Sequence, residues 1–309
     1  MLGKKFLNNI KEFFNSGIWD TNIDEMGNFK ARVVKHLKVF VMTLRFFSNQ
    51  KVGYHAVSLA FFSSIAAIPC LAVAFAITKG FGIGDELESL LLLNFSDKED
   101  VIRHALEYAN NVIAVTNQGK FGIISFLCFA WLVFWLMIQV EKTFNHVWRV
   151  CKSRKIIKRL TTYMAIVFLL PFVVFMFLST TLQFTNSHGL LGNIFDIPVW
   201  KEVSKGLSWL LVYICISFVL TLMYKFIPNA KVILSKALQA ALITALMFCL
   251  FQWIYVETQV FFNRLNGVFG AVAAIPFMMI WLNVAWFIVL FGSELSYAFQ
   301  HVDNYKLEE

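Results

Sequence analysis

Charge is what this chain has least of. Asp, Glu, Lys and Arg supply 15% of its 309 residues, where a soluble domain carries about 25%. From Leu265 to Ser293 there is no charged residue at all, and about 20 apolar residues suffice to cross a bilayer. Cysteine chemistry is missing too. Cys70, Cys128, Cys151, Cys215 and Cys249 lie far apart, four of them inside apolar runs, with no C-x-x-C and no His beside a pair. They read as small buried hydrophobes, which excludes a disulfide framework or a thiolate metal site. His36, His55, His104, His146, His188 and His301 never stand at metal-ligand spacing. No H-E-x-x-H, G-x-S-x-G or G-x-x-x-x-G-K-S/T occurs. The expectation is therefore no enzyme: no catalytic residue, no cofactor, no metal, and no ATP-driven transport by this chain alone. The first fifty residues are polar, so no cleavable signal peptide is expected.

Apolar residues are what the chain has most of, at 59%, with 34 Phe that cannot all be core in so small a protein and suit a lipid-facing surface. Six apolar segments run at about 55–78, 121–144, 161–184, 207–227, 237–257 and 267–299. Backbone polar groups in lipid need partners within their own segment, so each segment must be a helix. The expected fold is an all-α integral membrane protein: a basic amphipathic arm over 1–54, a six-span bundle over 55–299 and a short tail over 300–309.

The connections carry charge of alternating sign. Residues 1–54 hold nine Lys and Arg, 145–160 hold six with no acid, and 228–236 hold Lys231 and Lys236. On the other side, 79–120 hold four against seven acids, 185–206 hold two and 258–266 hold one. Basic connections stay in the cytoplasm, so a multi-pass protein with both termini cytoplasmic is expected. Topology and anionic headgroups account for the net charge of +8. Anionic lipid is therefore the expected partner and nucleic acid is not.

Within the arm, Phe29, Val33, Leu37 and Phe40 fall at helical spacing among Lys and Arg, a pattern for a helix lying on the inner leaflet. In the first outer connection, Asp85-Glu86-Leu87-Glu88 leads into Leu90–Leu93, and Ser96-Asp97-Lys98-Glu99 opens a second periodic run. Two short helices are expected there. The last segment as one helix would reach about 50 Å against about 30 Å of hydrocarbon, so it must tilt, extend into the cytoplasm or kink at Pro276.

Polar groups in or beside the spans are the candidate functional residues, because a charge in lipid is costly. Glu141, Glu257 and Glu294 are the carboxylates; each also suits an interfacial position. Pro276, Asn283 and Glu294 fall within about 40° on one helix face, beside Gly292 and Ser293, which allow close helix approach. Pro69 follows Ser58, Ser63 and Ser64 in the first span, a pattern for a locally broken helix. Glu141, Asn145 and Trp148 share a face, and Trp148 with Arg149 fits an interface anchor. These groups read either as a polar path or substrate contact, or as interhelical hydrogen bonding that holds the bundle.

Several segments together resemble the YihY family, also called the virulence factor BrkB family and once labelled ribonuclease BN. They are the Ser-rich helix ending in Ile68-Pro69, Phe144-Asn145-His146-Val147-Trp148-Arg149-Val150, and the turn Tyr224-Lys225-Phe226-Ile227-Pro228-Asn229-Ala230-Lys231-Val232. The stretch Asn266 to Ala271 through Pro276 to Trp281, closing on Gly292-Ser293-Glu294-Leu295, completes the match. The family's usual close is Gly-Ala-Glu, and Ser293 stands in its middle here. The resemblance covers about 35–300. It implies a six-helix protein of the bacterial inner membrane with both termini inside. A permease, exporter or envelope-lipid translocase of unknown substrate is the leading expectation, and a non-transporting envelope scaffold the alternative; an oligomer is compatible with either. A metal-dependent ribonuclease would need clustered ligands around a hydrolytic water, for which the sequence offers no set.

Overall fold

The computed structural model describes residues 19, 28–80, 103, 107, 119–151, 154, 198–263 and 274–305. The described residues form six long α-helices: α1 (Asn28–Asn49), α2 (Val52–Gly80), α3 (Gly119–Val147), α4 (Pro198–Phe226), α5 (Leu234–Asn263) and α6 (Ala274–His301), followed by a 3-10 turn, Val302–Asn304. No strand occurs among them. The span expected at 161–184 and the short helices expected over 85–113 lie outside the described residues, apart from Arg103 and Glu107, which are helical and exposed.

Segments 234–258 of α5 and 276–301 of α6 are long and apolar enough to cross a membrane. Both helices are apolar all round, as expected for spans rather than surface helices. They run antiparallel: Ile233 pairs with Gln300, Gln252 with Trp281, and Tyr255 with Phe277. α6 lies at the centre, packing on α1, α2, α3 and α5, while α4 packs chiefly on α5.

Lipid gives helices no hydrophobic reason to associate, so close van der Waals contact must hold them. The sequence provides for it. Ala237, Ala240, Ala241, Thr244 and Ala245 give α5 a buried small-residue stripe, and Gly292, Ser293 and Ser296 give one to α6. At Gly292 the approach is closest: an added Cβ would overlap the hydroxyls of Thr244 and Tyr224.

Two expectations about prolines change. α6 begins at Ala274, which places Pro276 in the first turn, where the missing N–H is one of the unpaired donors of any helix start. It therefore starts the helix and does not kink it midway, and at 28 residues α6 is about 42 Å long. α2 stays helical through Pro69. α4 begins at 198 and not 207, because a helix runs on through Lys201, Glu202 and Lys205 beyond its apolar part.

The amphipathic arm is a helix, and the predicted stripe is its exposed face. Val39, Met42 and Thr43 are buried toward α6, while Phe29, Val33, Leu37, Phe40 and Leu44 are exposed.

Candidate functional site

The connections that the charge pattern assigns to one side of the membrane meet at one end of the bundle. There the α1–α2 turn, the C-terminus of α3, the α4–α5 turn and the C-terminus of α6 are joined by polar contacts.

Their centre is Arg149. α3 ends at Val147, and the Val150 N–H then bonds the Asn145 carbonyl (2.8 Å) while the Arg149 N–H bonds the His146 carbonyl (3.0 Å). This pair of bonds is a Schellman stop, which requires a left-handed residue and ordinarily uses Gly. Arg149 occupies it with φ 54°, at a cost of about 1–2 kcal/mol relative to glycine. The conformation aims the side chain back into the bundle. Its guanidinium lies over the rings of Phe46 (3.9 Å) and Tyr297 (4.2 Å), and its Nη2 is 3.4 Å from Glu294 Oε1. The Gln50 carboxamide, oriented with oxygen toward the guanidinium, accepts from Arg149 Nε and Nη2, both at 2.7 Å. One side chain thus ties α3 to α1 and α6.

Glu294 is fully enclosed (0% exposed), whereas Arg149 keeps 32% of its side chain in contact with the outside. Glu294 Oε2, Ser293 Oγ, Ser296 Oγ and Trp148 Nε1 find no hydrogen-bond partner among the described residues. A buried polar atom left unmatched is uncommon in folded proteins. Four of them, on Glu294 itself and on residues within two positions of Glu294 or Arg149 in sequence, mark an arrangement not optimised for stability alone.

The other motif segments close around this centre. Asn145 Oδ1 accepts from the Asn229 N–H (2.7 Å), docking the α4–α5 turn on α3. Arg154 Nη2 donates to the carbonyls of Phe226 and Pro228, each at 2.7 Å. It thereby satisfies acceptors at the end of α4 that have no partner within the helix. Lys225 donates to the Val232 carbonyl across the same turn, and Gln300 holds Lys231 and Ile233 from α6. Tyr224, fully buried, donates to the Val289 carbonyl (3.1 Å) beside Gly292. His146 lies against His55, ring centroids 4.6 Å apart, and 3.3 Å from the Gln50 carbonyl.

The sequence candidates are distributed as follows. Glu141, Asn145 and Trp148 are all buried on the shared face of α3. Trp148 is buried at the packed end, in edge contact with Tyr297 and His301, and the Arg149 guanidinium lies against Phe46, Tyr297 and Glu294. Pro276 is exposed and Asn283 half-buried, so the face they share with Glu294 becomes enclosed only toward its C-terminal end. Glu257 is exposed and stands 23 residues beyond the start of α5, about 35 Å from the Arg149 end; it does not join the cluster. Pro69 lies within α2 as given above. Asn283 sits between two cross-helix bonds, Trp281 Nε1 to Gln252 Oε1 (2.8 Å) and Trp286 Nε1 to Ser63 Oγ (2.9 Å).

Gln50, Phe46, Arg154, Gln252 and Tyr224 were missed as site residues. Gln252, an amide within an apolar run, carried a local signal, and Tyr224 opens the turn quoted above for the family resemblance. A groove of about 500 Å³ between α4 and α5, lined by Trp209, Leu210, Tyr213, Leu246, Cys249, Leu250 and Trp253, is apolar and has neither Glu294 nor Asn283 in its wall. Among the described residues no three His, Cys, Asp or Glu side chains gather as a metal site would require.

The sequence profile of the family described as virulence factor BrkB matches residues 43–309. A protein named UPF0761 membrane protein from Coxiella burnetii (strain Dugway 5J108-111) is 27% identical over 262 residues, covering 82% of this chain and 89% of its own length. One of the same name from Vibrio vulnificus (strain YJ016) is 26% identical over 294 residues, with 92% and 90% covered. One from Actinobacillus pleuropneumoniae serotype 5b (strain L20) is 25% identical over 269 residues, with 82% and 91% covered. No solved structure matches the chain. The Arg149–Glu294 junction lies within the matched residues, and the chain belongs to that family, virulence factor BrkB.

Proposed function

We propose that this protein is a multi-pass permease of the bacterial inner membrane, moving a small or amphipathic solute such as an envelope lipid, with both termini cytoplasmic. In this reading the packed basic end is a closed cytoplasmic gate, and the Arg149–Glu294 pair is its bolt. Anionic lipid of the cytoplasmic leaflet surrounds that end, and no enzymatic step is part of the proposal.

One observation carries the reading: Glu294 is fully buried, held on one oxygen by a left-handed Arg149 and without a partner on the other among the described residues. A buried ion pair is weak evidence for stability, because desolvation offsets most of the attraction. Strained backbone and half-satisfied polar groups are costs that a static strut need not carry, whereas an element with two packings can use them.

The test is the double variant Glu294→Gln with Asn283→Leu, expressed in a deletion strain. Loss of the strain's transport or envelope phenotype at normal membrane abundance is expected; full complementation would remove these residues from the path. The scaffold reading draws on the tight contact at Gly292 and the absence of Glu294 and Asn283 from the α4–α5 groove. It predicts that deleting 1–34 or replacing 85–113 matters more than any intramembrane side chain.

A further inference from the structure

α1 presents two faces that the bundle treats differently. One buries Val39, Met42 and Thr43 against α6. The other exposes Phe29, Val33, Leu37, Phe40 and Leu44, with Phe29 81% exposed. At 100° per residue these five span about 80° of the helix circumference. Exposed Lys30 and Arg32 flank the stripe on either side, and α1 contains no acid. Five large apolar side chains on one water-facing stripe would be a liability.

Position decides what covers them. α1 turns through Gln50 and Lys51 directly into α2. The apolar first part of α2 exposes a stripe of its own, Tyr54, Val57, Phe61 and Ile65. α1 therefore leaves the bundle at the level where the first span meets the membrane surface. An apolar stripe between basic flanks at that level fits an anionic lipid leaflet, with acyl chains under the stripe and headgroup phosphates beside Lys30 and Arg32.

The other face of the same helix holds the buried node. Phe46 lies under the Arg149 guanidinium, and Gln50, in the turn that follows the helix, accepts from it. We infer that α1 is a lipid-seated clamp: binding of its outer stripe to an anionic leaflet holds Phe46 and Gln50 against Arg149, and so keeps the Arg149–Glu294 junction closed. This rests on the reading that the basic end faces the cytoplasmic leaflet, but it requires no transport cycle.

Hydrogen–deuterium exchange of the full chain in nanodiscs, one protein per disc, tests both halves. Residues 28–44 should exchange about tenfold more slowly in discs of phosphatidylglycerol with phosphatidylethanolamine than in phosphatidylcholine alone, the weight of one to two basic side chains at a charged surface. The lipid effect needs no variant and so survives a folding failure. In the double variant Val33→Asp with Leu37→Asp the lipid dependence should vanish, and 145–151 should exchange faster as the clamp lifts. Equal exchange of α1 in both lipids would overturn the lipid seat and point to a second copy or another protein on the stripe. Release of α1 without any change at 145–151 would overturn the clamp. A wrong orientation would appear instead in reporter fusions at the termini, leaving the exchange result to stand alone.

Discussion

Removing the two partners of the Arg149–Glu294 pair should have unequal consequences. The carboxylate is 0% exposed and the guanidinium 32% exposed. Arg149→Leu strands a buried anion, which costs about 3–5 kcal/mol. Glu294→Leu leaves a cation that still reaches the outside and stacks on Phe46 and Tyr297, so its cost should be about 1 kcal/mol. The double variant removes both charges and should recover most of the Arg149→Leu loss, because an apolar replacement of a buried pair is often neutral. The backbone adds an independent check. With φ at 54°, Arg149→Gly should be about 1 kcal/mol more stable than Arg149→Ala, although both lose the pair. Denaturant unfolding in mixed micelles, followed by tryptophan fluorescence, measures all five variants. Two single losses that add within about 0.5 kcal/mol would mean no coupling and would refute the pair. Ala matching Gly at 149 would refute the left-handed stop.

Three further outcomes follow from the packing and the charge pattern. Gly292→Ala should lose about 1–3 kcal/mol by overpacking against Thr244 and Tyr224, with a paired Thr244→Ala recovering part of it in the same unfolding assay. Asn145→Ala removes the acceptor for the Asn229 N–H and should cost about 1–3 kcal/mol for the stranded donor; faster amide exchange at 227–232 is the local readout. Reporter fusions at residue 309 and within 185–206 should report cytoplasm and periplasm respectively, and the same compartment for both would break the alternation on which the orientation rests.

The long helices were legible because lipid permits only helices and long uncharged runs fit it; segments 234–258 and 276–301 are long and apolar enough to cross a membrane. Their ends were less so. α6 starts at Ala274, though its apolar run begins upstream, since hydropathy does not register where a helix is first capped. α4 extends past its apolar part through Lys201 and Lys205 for the same reason in reverse. Glu294 stood out as the acid that follows a charge-free run. Arg149 was legible as a residue at the end of a span, but its direction was not. A Trp-Arg pair there matches a headgroup anchor, and only the left-handed backbone turns the side chain inward. Such a conformation is advertised in a sequence by glycine, which is absent here. Gln50 and Phe46 lie about a hundred residues from Arg149 in sequence, so no local pattern links them to it. The stripe on α1 shows the converse: helical spacing alone grouped its residues, and they form the exposed face of the helix.

Thiol accessibility at the buried end tests the gate most directly. Ser293 is fully buried beside Glu294, and the exposed Cys151 can be replaced first by Ser. In inside-out vesicles, Ser293→Cys should resist a membrane-impermeant maleimide while Arg149 is intact, and react readily once Arg149→Leu removes the bolt. Equally slow labelling in both proteins, at equal abundance and fold, would mean that the junction is fixed packing and not a gate.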